Sequence, residues 1–270
     1  MNESRSDPNN RHKPNNSGTF DFVAGWFNWR SWVTLGYYDV VALYRRTLIG
    51  PIWQPLQAAS WILGLWVVFG GERGGNSLAY IGCGVVFWQY IAIQVTSSPN
   101  IFFAARNLIL SVNRPLSFFV FRAYTASSLR WATQLVVVFG IIAFMGLPIG
   151  WNSLMALGGL VLLLYNALWV TLLLAVLGVR FPDLQFALEA LMRLMFFMTP
   201  VFWSPGDDML RNYLATYNPF AHFLEIVRGP VLGILPSLTN YGVVAAFSVI
   251  GPLVTLALYN RMRHQLVFWL

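Results

Sequence analysis

This chain of 270 residues has a single lysine, a single cysteine, three histidines and ten acidic side chains. Each scarcity excludes something. A phosphate-binding loop sets a lysine behind a glycine-rich turn so that the ammonium reaches the phosphates. Lys13 follows no such turn, so ATP has no standard loop to bind here. With Cys83 alone there is no internal disulfide, and its place in an apolar run suits a small buried residue. His12, His222 and His264 are scattered, with no His/Cys pair at metal-ligand spacing. His222 reads as a hydrogen-bonding loop residue. No Ser–His–Asp set or paired carboxylates for acid–base work is legible. Charged residues make up 10% of the chain, against about 25% in soluble domains. Hydrophobic residues make up 57%, and mean hydropathy is +0.59. A soluble fold of this length has too little polar surface to cover so much apolar side chain, so the bilayer is the natural solvent.

What is present is a series of apolar runs. A crossing helix needs about 20 apolar residues at 1.5 Å rise. The sequence predicts an all-α integral membrane protein with six spans, near 52–70, 78–97, 118–147, 153–178, 184–203 and 240–259. The third run is too long for one straight crossing, so part of it lies in the interface or tilts. The net charge of +7 would suggest nucleic acid in a soluble protein. Here the basic residues lie between apolar runs, so topology explains them and no nucleic-acid partner is expected. Twelve of the 17 basic residues fall on one side of the predicted spans and three on the other, with Arg130 and Arg193 inside spans three and five. The positive-inside rule then puts both termini in the cytoplasm.

Residues 1–20 are rich in Asn, Ser, Pro and charge, without the apolar core or cleavage site of a signal peptide. They are expected to form a disordered cytoplasmic tail. Residues 21–50 are expected to form an interfacial amphipathic helix, and 51–270 the six-helix transmembrane domain. From Trp26, the residues Trp29, Val33, Tyr37, Val40 and Tyr44 recur every three or four positions. That is one apolar, aromatic face, suited to lying flat on the leaflet. Between spans five and six, a half-apolar stretch with Pro219 and Pro230 predicts short outer helices. They either dip into the outer leaflet or cap it from outside. Glu189 and Arg193, at i and i+4 on span five, read as a self-neutralising pair near the cytoplasmic end.

Three stretches together resemble the permeases of type-2 ABC exporters, closest to the branch that moves O-antigen, capsule and teichoic-acid polymers. They are YRRTLIGPIWQPL from Tyr44, LILSVNRPLSFFVFR from Leu108, and MTPVFW from Met198 with the NPF and EIVRGPVLG that follow. The resemblance covers residues from Trp26 to the C-terminus. It implies a homodimer in the bacterial inner membrane, working with two copies of an ABC ATPase that binds ATP and Mg. This chain would hold no cofactor and do no catalysis. The resemblance also implies that the loop between spans two and three couples to the ATPase, here through Arg106, Asn107, Asn113 and Arg114. The turn after span four does the same through Arg180 and Asp183. Pro182 stands where many relatives carry a polar residue.

The cargo implied is a lipid-linked polysaccharide. Its hydroxyls cannot enter hydrocarbon, since burying one unpaired costs roughly 2–7 kcal/mol. Gln54, Gln57, Trp61 and Gly64 share one face of span one, and polar or small residues there face a partner helix or a cavity. In the family, spans one and five line the path, which selects Gln57, Trp61, Phe196 and Phe197 as candidate path residues. Arg45 and Arg46 stand at the cytoplasmic entrance and suit the diphosphate of the lipid carrier, beside the ordinary role of positive-inside anchors. Other readings are an ABC permease for small lipids or drugs, an ion-gradient-driven flippase of lipid-linked oligosaccharides, and a polyprenyl-phosphate transferase. The flippase usually needs more spans and buried ionisable groups. The transferase would have to rely on Asp207-Asp208, which reads as an exposed turn.

Overall fold

The computed structural model describes residues 18–71, 76–147, 150–206 and 208–269. These residues form helices and connecting turns, with no strand among them. Most of the predicted tail and Asp207 lie outside the described residues.

Two helices precede the bundle, α1 (Gly18–Phe27) and α2 (Trp29–Tyr44), separated at Asn28. Both pack along α7 (Leu116–Ala132). Phe121 of α7 sits among the rings of Phe22, Trp26 and Trp32. Gly36 and Val40 form the buried stripe of α2. Asp39 takes a two-pronged bond from Arg122 at 2.6 Å. Trp29, Tyr37 and Tyr38 remain more than half exposed.

Among the described residues, five helical stretches are long and apolar enough to cross a membrane: Gly50–Phe69, Ser77–Ala104, Leu116–Met145, Trp151–Arg180 and Leu238–Leu266. The central one contains α4 (Ser77–Ser97), which packs against α3 (Trp53–Phe69), α7, α8 (Leu135–Met145), α9 (Trp151–Arg180), α10 (Leu184–Met198) and α12 (Pro219–Val231). Small residues at 82–84 let its neighbours approach. Span one is the opposite case. Only 11% of its apolar window is buried, against 67% for the α4 span, so α3 faces outward along most of its length. The long third run is a pair of helices, α7 and α8, broken at Thr133-Gln134.

The expected fifth span is the departure. Instead of about 20 helical residues, α10 has 15, about 22 Å by helical rise. It ends because Pro200 pushes Thr199 into extended backbone. Residues 199–203 continue without helix, and non-helical backbone at membrane depth survives only when protein satisfies it. Here it does. Arg228 donates to the Pro200 carbonyl at 2.6 Å, Tyr80 to the carbonyls of Pro200 and Trp203, and Asn218 to the Met198 carbonyl and the Thr199 hydroxyl. Gly84 makes room: a Cβ there would overlap the carbonyl of Val201. Of the two short helices that follow, α11 (Met209–Tyr217) has no buried residue, whereas α12 is embedded from Ala221 to Pro230. His222, on α12, bridges Thr216 and Asn240 with its ring nitrogens.

The two described ends meet. Thr19 N–H donates to Asn260 on α13 (Leu238–Trp269). Asp21, 3% exposed, accepts from the backbone of Leu116 and Ser117 and from Tyr259, and pairs with Arg263 at 3.0 Å. Residues 18–20, assigned to the tail from sequence, are the first turn of α1.

Arg228 is 1% exposed, paired with Glu225 at 2.6 Å and set 3.7 Å from the Tyr80 ring centroid. Removing one partner of a buried pair costs about 3–5 kcal/mol. Arg228→Leu is therefore expected to lower the thermal midpoint of the detergent-solubilised protein by several degrees or more. Arg211→Leu, at an exposed pair with Asp208, should change stability by about 1 kcal/mol or less.

Candidate functional site

Two features stand out, one in the bundle and one at the end that holds the described termini. The first is a cavity of about 880 Å³ walled by α3, α4, α7 and α10. Gln57 and Trp61 come to it from α3, and Phe196 and Phe197 from α10. All four candidate path residues thus share one space. Trp61 and Phe197 are 61% and 64% exposed, because the cavity opens sideways at the α3–α10 face of a single chain.

The lining has two chemistries. Trp61, Trp88, Trp131, Phe196 and Phe197 supply flat apolar rings. Gln54, Gln57, Gln89, Ser127 and Gln134 supply neutral hydrogen-bonding groups. Some of these are anchored: Trp131 donates its indole N–H to the Val86 carbonyl at 2.8 Å, and Gln134 donates to Gln54 at 3.2 Å. Gln134 keeps a buried carbonyl oxygen without a partner. Glu189 and Arg193 also line the space, 3.8 Å apart, with Gln185 donating to Glu189. The Arg193 side chain is 78% exposed.

Sequence reasoning did not select Trp88, Gln89, Arg130, Trp131 or Gln134. Charge was an available signal for Arg130, since an ionisable residue inside a span is a functional candidate by default. The amides of span two and the third run carried the same signal more weakly. The two tryptophans left no trace, as indole rings are equally at home against lipid.

The second feature lies between α4 and α7. A 3-10 turn at Ser98–Asn100 leads into α5 (Ile101–Ala104) and α6 (Arg106–Ser111). Arg106, Asn107, Asn113 and Arg114 are all exposed there. Arg114 donates to Asn28 at 3.3 Å and lies 5.8 Å from the Phe118 ring centroid. Arg180 ends α9, stacked over Phe181, and Asp183 precedes α10; both are exposed. The turn at 98–100 joins the two segments, because Gly178 lies so close to Pro99 that a Cβ would overlap its carbonyl. All six candidate coupling residues therefore lie at one end of the bundle. Arg45 and Arg46, also exposed, form the turn after α2.

An all-helical bundle with five long apolar helices and a cavity open on one flank defines a multi-pass membrane protein of the transporter type. Residues 30–232 match the model of the ABC-2 type transporter family, and the chain belongs to that family. It is thus a membrane permease component of an ABC exporter. No curated protein matches the chain in sequence.

If the cavity holds water, a thiol on its wall is reached by hydrophilic reagents. Gln57→Cys and Ser60→Cys are expected to react with a membrane-impermeant maleimide, while native Cys83, 1% exposed, stays unlabelled. Labelling only after the protein is denatured would show a dry cavity.

Proposed function

We propose that the chain is the path-forming subunit for a lipid-linked polysaccharide of the O-antigen type. Two copies would work with two ABC ATPase subunits in a bacterial inner membrane. The observation that carries this reading is the lining of the large cavity. Aromatic faces offer sugar rings a surface without holding any one hydroxyl, and glutamine amides exchange hydrogen bonds as the chain of sugars advances. A small apolar drug or single lipid would not need so many uncharged donors and acceptors around a space of about 880 Å³.

Dimerisation completes the picture physically. The cavity of one chain is open between α3 and α10, and α3 has little buried surface of its own. A second copy on that flank would close the opening and bring two sets of Gln57, Trp61, Phe196 and Phe197 around one corridor. ATP-driven movement would enter through Arg106, Asn107, Asn113, Arg114, Arg180 and Asp183. In this reading the end that holds them faces the cytoplasm, with both termini. The arginine distribution supports that orientation. α1 and α2 would lie at the interface, with Trp29, Tyr37 and Tyr38 in the headgroup layer. Arg45 and Arg46 at the end of α2 would meet the diphosphate of the carrier lipid.

The test pairs two variants in cells that export the polymer. Arg106→Glu with Arg114→Glu should abolish co-purification of the ATPase and surface polymer together. Trp61→Ala with Phe197→Ala should keep the ATPase bound but cut surface polymer by roughly tenfold, equivalent to about 1.4 kcal/mol on the rate-limiting step. Normal polymer export by the Trp61/Phe197 variant, or ATPase retention by the charge-reversed one, would contradict these assignments. Export of a small amphiphile with no polymer export would favour the small-lipid permease.

A further inference from the structure

Arg130 stands apart from every other arginine in the interior. It lies 14 residues after the start of α7, about 21 Å along the helix. Its neighbour Trp131 bonds to Val86 in α4, which fixes it at mid-bundle. Other interior arginines have partners. Arg228 holds Glu225 and a carbonyl, Arg122 holds Asp39, and Arg263 holds Asp21. Arg130 has no ion pair among the described residues, and its buried Nε has no hydrogen-bond partner.

Its position matters as much as its charge. Arg130 and Ser127 line the large cavity, and the same two residues line a second, more polar cavity of about 480 Å³. That second space holds Asn100, Asn107 and the Asp39–Arg122 pair, so it reaches down to the 98–115 loop. Arg130 is therefore the shared wall between a polar chamber at the coupling end and the aromatic corridor above it. An unpaired cation at membrane depth is expensive. In a water-lined space its cost falls, and it is repaid fully only when an anion arrives. Among the described residues, Glu189 is the one acid on the large cavity, and it is already engaged by Arg193 and Gln185.

We propose that Arg130 is an anion subsite of the path, binding the diphosphate ester that joins the lipid to its sugar. The planar guanidinium suits two-pronged contact with such a group, and Ser127 beside it adds a hydroxyl. This rests on the lipid-linked cargo proposed above and names the residue that would recognise its charged end after it leaves Arg45 and Arg46.

The experiment measures binding to the permease–ATPase complex in nanodiscs, with three probes: a polyprenyl diphosphate, the matching polyprenol and inorganic pyrophosphate. Wild type should prefer the diphosphate to the polyprenol by at least about tenfold, as a charge-assisted contact would give. Arg130→Gln should erase that preference while leaving polyprenol affinity as in wild type, and Arg130→Lys should restore part of it. Pyrophosphate should bind far more weakly than the lipid ester. A full diphosphate preference in Arg130→Gln would overturn the subsite while leaving the cargo reading intact. No binding of either polyprenyl probe by wild type would overturn both. Equal, Arg130-dependent binding of pyrophosphate would make the site one for free anions and overturn the lipid-ester assignment.

Discussion

A bilayer offers no hydrogen-bond partners, so every polar group inside this protein must find one in the chain or face water. That constraint explains most of what the structure does with its few charges. Gln94, 2% exposed in the last turn of α4, accepts from Ser127 and Thr171 and donates to Ser128, joining α4, α7 and α9 through one amide. Arg228 closes the broken backbone after α10, and Asp21 supplies acceptors to the buried backbone N–H groups at the start of α7. Where such closure stops, along the wall of α3, α7 and α10, polar groups gather around a cavity. Closure elsewhere is what makes that exception informative.

Helix α7 connects the large cavity to the exposed loop. Its first turn follows directly on the exposed loop and is held by Asp21 from α1 and, through Asp21, by Tyr259 and Arg263 of α13. Its last two turns carry Ser127, Arg130 and Trp131 into the cavity, and just beyond its end Gln134 reaches Gln54 of α3. A force applied at the loop thus has a rigid helical route to the cavity wall. The contact of Pro99 with Gly178 ties the same loop to the end of α9, so the two exposed segments cannot move independently.

The parts legible in the sequence are those that hydropathy and periodicity report directly. Long, evenly apolar runs became long helices, and the aromatic repeat from Trp26 became the end of α1 and the whole of α2. The fifth run misled because Thr199-Pro-Val-Phe-Trp is as apolar as a span while Pro200 ends the helix; composition does not report backbone. The burial of Arg228 was not legible, although Glu225 three residues earlier was the available hint of a pair. The depth of Asp21 was invisible, since its partners are 95 to 242 residues away in the chain. Gln57 and Trp61 were legible from one helix face. Phe196 and Phe197 came only through family resemblance, because nothing in an apolar helix marks which phenylalanines face a cavity.

The account depends on a polar, ring-lined corridor that moves its cargo only when a separate ATPase drives it. The direct measurement is flux of a lipid-linked polysaccharide across proteoliposomes holding this chain, with and without the ATPase and ATP. The account predicts that polymer becomes accessible on the far side only when all three are present. Polymer crossing with the permease alone, or no crossing with the complete ATP-hydrolysing complex, would contradict it.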